Sequence, residues 1–473
     1  VSFPARANAL EARWQRLCAT YLPRAPQGSL WRHYDGQRRR VQPKSGWKLH
    51  VSATVLNAPT ILKKIGPLLV QRGVPFKAPG CLQEVLKLNS GLYYGYTQVG
   101  KIFTVYPATD REAVALAKKL HQLTRRLAGP TVPFDLKFAE PGNVYYRFGA
   151  YQQIEIEHQG QRALGMCTAD GSLIPDIREK AKPDSIADPF ELHKPQTRSK
   201  MMPDRSMRVI RVLTQRGKGG VYEAVEYGDG IPKLCLLKEG RKNGELAWDG
   251  RDGAWRVKHE QRVLSRLSSC DLPIPKVLDS FELDGNYYLV IEHVNGENLY
   301  DLLLHRRRRF DLRQVVEFGI QLATFLSHMH SAGWSWRDCK PKNILITRQN
   351  RVVPIDFEGA TPIRRPDRTL WGTPGYTPPE WRTKNTTGVS EDCYALGALI
   401  YSLLTGRTFD HEKPVPVQKL RRNVYPELCR LVESLLSVDQ RTRLTAAAAR
   451  IKLTAISLKY SPKLMRAQNS KAA

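Results

Sequence analysis

The chain has 473 residues, and its 74 Lys+Arg against 45 Asp+Glu leave a formal net charge of +29. That length allows two or three domains, 41% hydrophobic residues suffice for globular cores, and the basic balance favours an anionic partner without choosing among nucleotide, phosphopeptide, acidic peptide and nucleic acid. The eight scattered cysteines include no Cys-x-x-Cys pair and no apolar run is long enough for a bilayer, so a disulfide framework, a structural zinc site and a membrane span are all disfavoured and a reducing, cytoplasmic setting is expected.

Residues 1–45 read as a mixed extension with a basic run at Arg38-Arg39-Arg40. An α+β segment follows from Gly46 to Thr168. Lys48-Leu49-His50-Val51-Ser52 alternates like a strand, and Asn57 to Gln71 has helical periodicity that ends near Gly73. Lys101 to Tyr106 reads as a strand, Asp110 to Leu127 as an amphipathic helix with an acidic cap, and Asn143 to Ile156 as strand-like. Residues 178–206 carry Pro183, Pro189, Pro195 and Pro203 without periodicity and read as a linker or an ordered extended connector. The fold class is therefore α+β in two domains: 1–177, then the connector 178–206, then 207–450, with a basic tail at 451–473 whose first part is helical.

In the first domain Lys48 and His50 flank one residue, so on a strand they share a face. Lys77, Lys101 and Arg147 add cations near the ends of expected strands. Cations without carboxylates suit a phosphate-bearing ligand. They also suit β-elimination, in which a base removes an acidic C–H and a cation steadies the enolate. By itself Lys-x-His equally describes a surface strand.

In the second domain Asp338-x-Lys340-Pro341-x-Asn343 precedes Asp356-Phe357-Glu358-Gly359, the pattern of a protein kinase's catalytic and metal loops. Phosphoryl transfer needs positioning and charge neutralisation. Asp338 is the expected base, Lys340 the cation near the γ-phosphate, and Asn343 and Asp356 the magnesium ligands. Upstream, Gly217, Gly219 and Gly220 form the expected phosphate loop, although only Gly219 falls in the usual register. Lys238 is the expected grip on the α/β-phosphates of ATP, and Glu260 its helix partner ahead of Glu239, Glu245 and Asp252. Tyr288 to Val294 reads as a strand entering the hinge, where the Glu292–Val294 backbone would meet adenine. Trp336 stands where a histidine is usual and is expected to pack on Phe357. Glu358 stands where a glycine is usual, and a pseudokinase is the reading these departures leave open. Glu380 is expected to pair with Arg443, and Asp392 to steady the catalytic loop. Arg364, Arg365, Arg368 and the run Arg306 to Arg309 read either as an acidic-substrate surface or as solvated charge.

Four stretches carry a resemblance in the first domain: Gly46-Trp47-Lys48-Leu49-His50-Val51-Ser52-Ala53-Thr54, Arg72-Gly73-Val74-Pro75-Phe76-Lys77, Gly100-Lys101-Ile102-Phe103-Thr104-Val105-Tyr106-Pro107 and Tyr145-Tyr146-Arg147-Phe148-Gly149. They resemble the lyase domain of class III and IV lanthipeptide synthetases, which is related to bacterial phosphothreonine lyases. Leu237-Lys238-Glu239-Gly240-Arg241, Asp249-Gly250-Arg251-Asp252-Gly253, Ile355-Asp356-Phe357-Glu358 and the connector's Asp188-Pro189-Phe190 resemble the same family, which makes Glu358 a family trait.

The resemblance implies a phosphothreonine-lyase-like domain followed by a bilobal kinase-like domain. It implies an ATP- and Mg²⁺-dependent dehydratase that phosphorylates Ser or Thr of a precursor peptide and then eliminates phosphate to leave dehydroalanine or dehydrobutyrine. It makes Lys77 the base, with a pKa lowered by neighbouring cations, His50 the acid and Lys48 the enolate stabiliser, while Lys101 and Arg147 hold phosphate. The precursor's leader segment would dock on the kinase amino-terminal lobe. The family's zinc-dependent cyclase has no counterpart in this sequence, so ring closure is expected to need a separate cyclase, to proceed by spontaneous addition, or not to occur. No recognisable nucleic-acid module is present. The rival reading is a Ser/Thr kinase whose front domain only binds a phosphopeptide or partner.

Overall fold

A computed structural model describes all residues except 1–2, 38–40, 169–170, 191–206, 229–230, 306–309, 368–370, 382–387 and 470–473. The arginine runs at 38–40 and 306–309, Arg368, Pro195 and Pro203 lie outside the described residues. The chain divides into two compact units. One comprises Val1–Lys233, Leu237–Lys258 and Phe281–Leu289, and the other Leu234–Leu236, His259–Ser280 and Val290–Ala473.

The first unit is built on a six-stranded sheet: β1 (Trp31–Tyr34), β2 (Ser45–Val51), β3 (Phe76–Pro79), β4 (Phe103–Val105), β5 (Leu136–Lys137) and β6 (Val144–Ala150), in the order β1-β3-β4-β2-β6-β5 with antiparallel neighbours. Alternation decides its two faces. Trp47, Leu49, Val51, Phe76, Ala78, Phe103, Val105, Val144, Tyr146 and Phe148 are buried in one core, which also takes in α1 (Phe3–Tyr21), α2 (Ala58–Gln71) and α4 (Asp110–Thr124). Between the last two lies α3 (Leu82–Ser90). The intervening residues, Lys48, His50, Lys77, Thr104 and Arg147, go to the opposite face.

Several sequence expectations are corrected here. The mixed extension contains α1, whose buried Trp14 donates Nε1–H to the Pro79 carbonyl at 3.2 Å. The helix at 110 is capped by Thr109, whose hydroxyl accepts the Glu112 N–H, rather than by an acidic residue. The strand-like stretch 143–156 is two strands, β6 and β7 (Ile154–His158); the second pairs with β8 (Gln161–Cys167), which pairs with β9 (Leu173–Pro175). Of the two readings of the connector, its start fits the ordered one: Phe190 is fully buried and stacks on Tyr146, whose hydroxyl donates to Asp188 at 2.9 Å.

A second sheet follows the order β10-β11-β12-β14-β13, from β10 (Met207–Arg216), β11 (Gly219–Gly228), β12 (Ile231–Gly240), β13 (Val277–Leu283) and β14 (Asn286–Glu292). Between β12 and β13 runs α5 (Gly253–Leu267). Beyond it the second unit is mainly helical, with α6 (Leu299–His305), α7 (Leu312–Ser331), α8 (Val389–Thr405), α9 (Pro426–Leu435) and α10 (Ala446–Asn469), so the tail is helical as expected. Among the described residues no helix is long and apolar enough to cross a membrane.

Candidate active sites

Register assembles the first site. His33, Lys77, Thr104, His50, Tyr145 and Lys137 form one row across all six strands, and Lys48 pairs with Arg147 in the next row of the same face. Neighbouring strands lie about 4.8 Å apart, so residues far apart in the chain meet at a pocket of about 190 Å³ lined by Lys48, His50, Lys77, Lys101, Arg147 and Arg178 among others. All five lyase residues named from sequence are brought together.

The expectation of cations without carboxylates is corrected. Asp135, fully buried, bridges His50 Nδ1 at 2.5 Å and Lys101 Nζ at 2.8 Å. Asp176 accepts from Arg147 at 2.6 Å. Burial opposes the Asp135 charge, yet His50 and Lys101 hold its carboxyl down at about 2. Burial, and then the Lys101 and Lys48 charges, push His50 down to about 4 in spite of Asp135. At neutral pH His50 is thus a neutral imidazole giving Nδ1–H to Asp135, with Nε2 as an acceptor.

The Lys48 ammonium makes no hydrogen bond or ion pair among the described residues. Burial, with Arg147, Lys77 and Lys101 outweighing Asp176, lowers it to about 7. Lys77 is lowered to about 8, chiefly by burial and only then by Arg178, so the expected neighbouring-cation cause is secondary. Its Nζ lies 4.2 Å from the centre of the Trp31 ring, a contact that favours the charged ammonium.

The second site is local in sequence. Asp338 Oδ2 accepts from Lys340 Nζ at 2.8 Å and from Asn343 Nδ2 at 2.7 Å, and Lys340 also reaches the Thr373 hydroxyl at 3.0 Å. Burial raises Asp338 despite Lys340. Asp392 accepts the backbone N–H groups of Trp336 and Arg337 at 2.8 and 2.6 Å and meets His330 at 2.9 Å, which pins the loop. Trp336 stacks on Phe357 at 5.8 Å and donates Nε1–H to the Asp356 carbonyl at 2.9 Å. Arg337 and Asp356 hold φ of 67° and 66°, left-handed strain of the kind found at functional loops. Buried Arg443 donates to Glu380 at 2.7 Å.

Carboxylate oxygens of Glu260, Asp356 and Glu358 lie within 4.8 Å of one another. Hard oxygens of that kind fit magnesium, and the Asn343 amide nitrogen is engaged by Asp338, so its oxygen is the atom that could take a metal. Glu260 also accepts the Phe357 N–H at 3.0 Å. Lys238 stands on β12. Glu292 ends β14, with its N–H on the Lys276 carbonyl at 2.9 Å, and Val294 follows in coil. In the glycine hairpin, Gly217 N–H is spent on the Ser90 carbonyl at 3.0 Å, so it does not face a phosphate.

Residues 15–201 match the family described as RamC, N-terminal domain, and residues 217–452 match the protein kinase domain. The chain is 29% identical over 374 residues to the probable SapB synthase of Streptomyces coelicolor (strain ATCC BAA-471 / A3(2) / M145), covering 76% of this chain and 39% of that protein. The chain thus joins a RamC-type N-terminal domain to a protein kinase domain, the arrangement the resemblance to class III/IV lanthipeptide synthetases implies. Its kinase half is also 29% identical over 210 residues to serine/threonine-protein kinase PLK4 of Xenopus tropicalis, and 34% over 158 residues to that of Drosophila sechellia, covering 42% and 32% of this chain and 21% and 20% of those proteins. The chain thus spans about two-fifths of SapB synthase and about a fifth of each kinase.

The kinase-domain match supports a kinase-type enzyme and implies the use of ATP. Sequence reading missed Asp135, Asp176, Trp31 and Arg178. Asp135 follows Phe134, at φ 64°, in a turn without periodicity, and nothing local marks it as a partner of His50, 85 residues away.

Proposed function

We propose that the chain phosphorylates Ser or Thr of a ribosomal precursor peptide and then eliminates that phosphate to leave an alkene. The observation that carries the reading is the cationic pocket on one sheet face, where two lysines have pKa values of about 7 and 8. Lysine at its usual value is almost wholly charged at neutral pH and cannot serve as a base.

In the first step Asp338 takes the proton of the substrate hydroxyl while the oxygen of that hydroxyl attacks the γ-phosphorus of ATP, the bond from that phosphorus to ADP breaks, and Lys340 offsets charge on the transferring group. Magnesium–ATP, when bound, would supply that phosphoryl group, and Asn343 and Asp356 would hold the metal. In the second step Arg147 and Lys101 hold the phosphoester. A neutral lysine takes the Cα proton, the C–H pair becomes the Cα=Cβ bond, and the Cβ–O pair leaves on phosphate. His50 delivers the proton that phosphate accepts, because the ester's negative charge raises its pKa once bound. The second lysine, still charged, steadies the enolate oxygen. The resemblance makes Lys77 the base; the pocket's electrostatics favour Lys48.

The test is mass spectrometry of a Ser/Thr-rich precursor peptide incubated with ATP and Mg²⁺, alongside a synthetic phosphoserine peptide without ATP. Loss of water from the first and of phosphoric acid from the second are expected. A phosphopeptide that accumulates unchanged would instead make this chain a kinase with a binding domain.

A further inference from the structure

The hairpin between β10 and β11, which carries the glycines of the kinase half, is joined to the elimination pocket. A Cβ on Gly217 would sit 1.6 Å from the Asn89 carbonyl oxygen, so the backbones touch there and only glycine fits. The Gly217 N–H donates to Ser90 O at 3.0 Å. Asn89 is buried, its Nδ2 donating to Ala53 O at 2.9 Å and its Oδ1 accepting the Gly100 N–H at 3.2 Å. Gly100 precedes Lys101, the phosphate cation of the pocket.

A second strut runs beside the first. The Lys218 carbonyl accepts the Arg241 N–H at 2.7 Å. The Arg241 guanidinium donates to the Tyr96 hydroxyl and to Glu239 at 2.9 Å, and Glu239 accepts from Tyr222 of β11 at 2.8 Å. Tyr96 opens the short 3-10 helix Tyr96–Gln98. Gln98 lines the pocket, and its carbonyl accepts the Lys101 N–H at 3.2 Å. The Tyr96 ring meets Phe134 edge-on at 6.0 Å, next to Asp135. Both struts end on Lys101 and its carboxylate partner.

We infer that Arg241 and Tyr96 are positioning residues for elimination, and that a nucleotide triphosphate held at the glycine hairpin alters the elimination rate through this joint. The inference rests on the two-step reading above. Gly219, at φ 151°, gives the hairpin a backbone without side-chain restraint at its turn, so a phosphate held there shifts main chain that the pocket shares. Coupling of this kind needs one element that both ends share, and the hairpin is that element.

The experiment uses the full chain and a synthetic phosphoserine peptide, with and without a non-hydrolysable ATP analogue plus Mg²⁺, after the analogue's binding has been measured on the same sample. In the wild type the bound analogue is expected to change the elimination rate by about threefold or more. Arg241→Ala is expected to lower basal elimination by about tenfold and abolish the response. Arg241→Lys should restore part of both, and Tyr96→Phe, which removes one hydroxyl and no core volume, should weaken the response while phosphopeptide binding is kept. Equal wild-type rates with and without bound analogue, or an undiminished response in Arg241→Ala and Tyr96→Phe, overturn the coupling. A wild type that never eliminates phosphate overturns the two-step reading instead.

Discussion

Lys77→Arg is the substitution that decides which lysine removes the proton. At pH 7.5 a group of pKa about 7 is roughly three-quarters neutral and one of about 8 roughly three-quarters charged. The arrangement with Lys48 neutral and Lys77 charged is therefore populated about tenfold over the reverse, whatever the pH. The contact of Lys77 with the Trp31 ring widens that ratio, since a ring face stabilises only the cation. Either assignment gives the same bell-shaped rate, rising as one lysine deprotonates near pH 7 and falling as the other does near pH 8. The wild-type profile is thus blind to the roles, and a fixed charge is needed. Arginine keeps its charge and stacks on aromatic rings. With Lys48 as base, Lys77→Arg retains elimination within about tenfold, and its rate stays flat above pH 8 where the wild type declines. Lys48→Arg then loses about 10²- to 10⁴-fold, because guanidinium cannot accept the proton. Release of phosphoric acid from a phosphoserine peptide is measured from pH 6 to 9, with peptide binding as the control for misfolding. An inactive Lys77→Arg that still binds peptide, beside a Lys48→Arg that still eliminates, refutes the reasoning and returns the base to Lys77.

Asp135→Asn removes the anion shared by His50 and Lys101 and should lower elimination by about 10²-fold, with phosphopeptide affinity, read by calorimetry, affected less. Asp338→Asn should stop ATP-dependent phosphorylation, followed by label transfer, and leave elimination from a ready-made phosphopeptide at the wild-type rate; loss of both would mean that the sites are not separate. Arg443→Ala strands buried Glu380 without its partner and should cost about 3–5 kcal/mol in chemical unfolding, whereas a loss below about 1 kcal/mol would place the pair among surface bridges.

The two sites differ in how much of them could be read in advance, and the reason is geometric. The kinase residues Asp338, Lys340 and Asn343 sit within one loop, so their spacing nearly is their geometry, and the structure finds them in contact. Trp336 on Phe357 and Arg443 on Glu380 were also legible, because both follow from motifs of fixed order. In the front domain only the strand alternation of Lys48 and His50 was local. Their meeting with Lys77 depends on β4 lying between β2 and β3, a sheet order that periodicity does not encode. Resemblance supplied Lys77, but it said nothing of Asp135.

That omission changes the chemistry rather than its detail. A pocket of cations alone would hold phosphate by charge and leave His50 in whatever tautomer solvent allowed. With Asp135 fixed at Nδ1, the imidazole presents Nε2 to the pocket, and Lys101 is anchored by the same carboxylate. One buried anion therefore orients both the His50 imidazole and the Lys101 ammonium. It also leaves Lys48 and Lys77 as the lysines without a carboxylate partner in the pocket, and these are the two whose pKa values fall into the working range. Among the three lysines, only Lys101 is thus bound to Asp135, which follows a turn with a left-handed residue, the feature least visible in a hydropathy pattern.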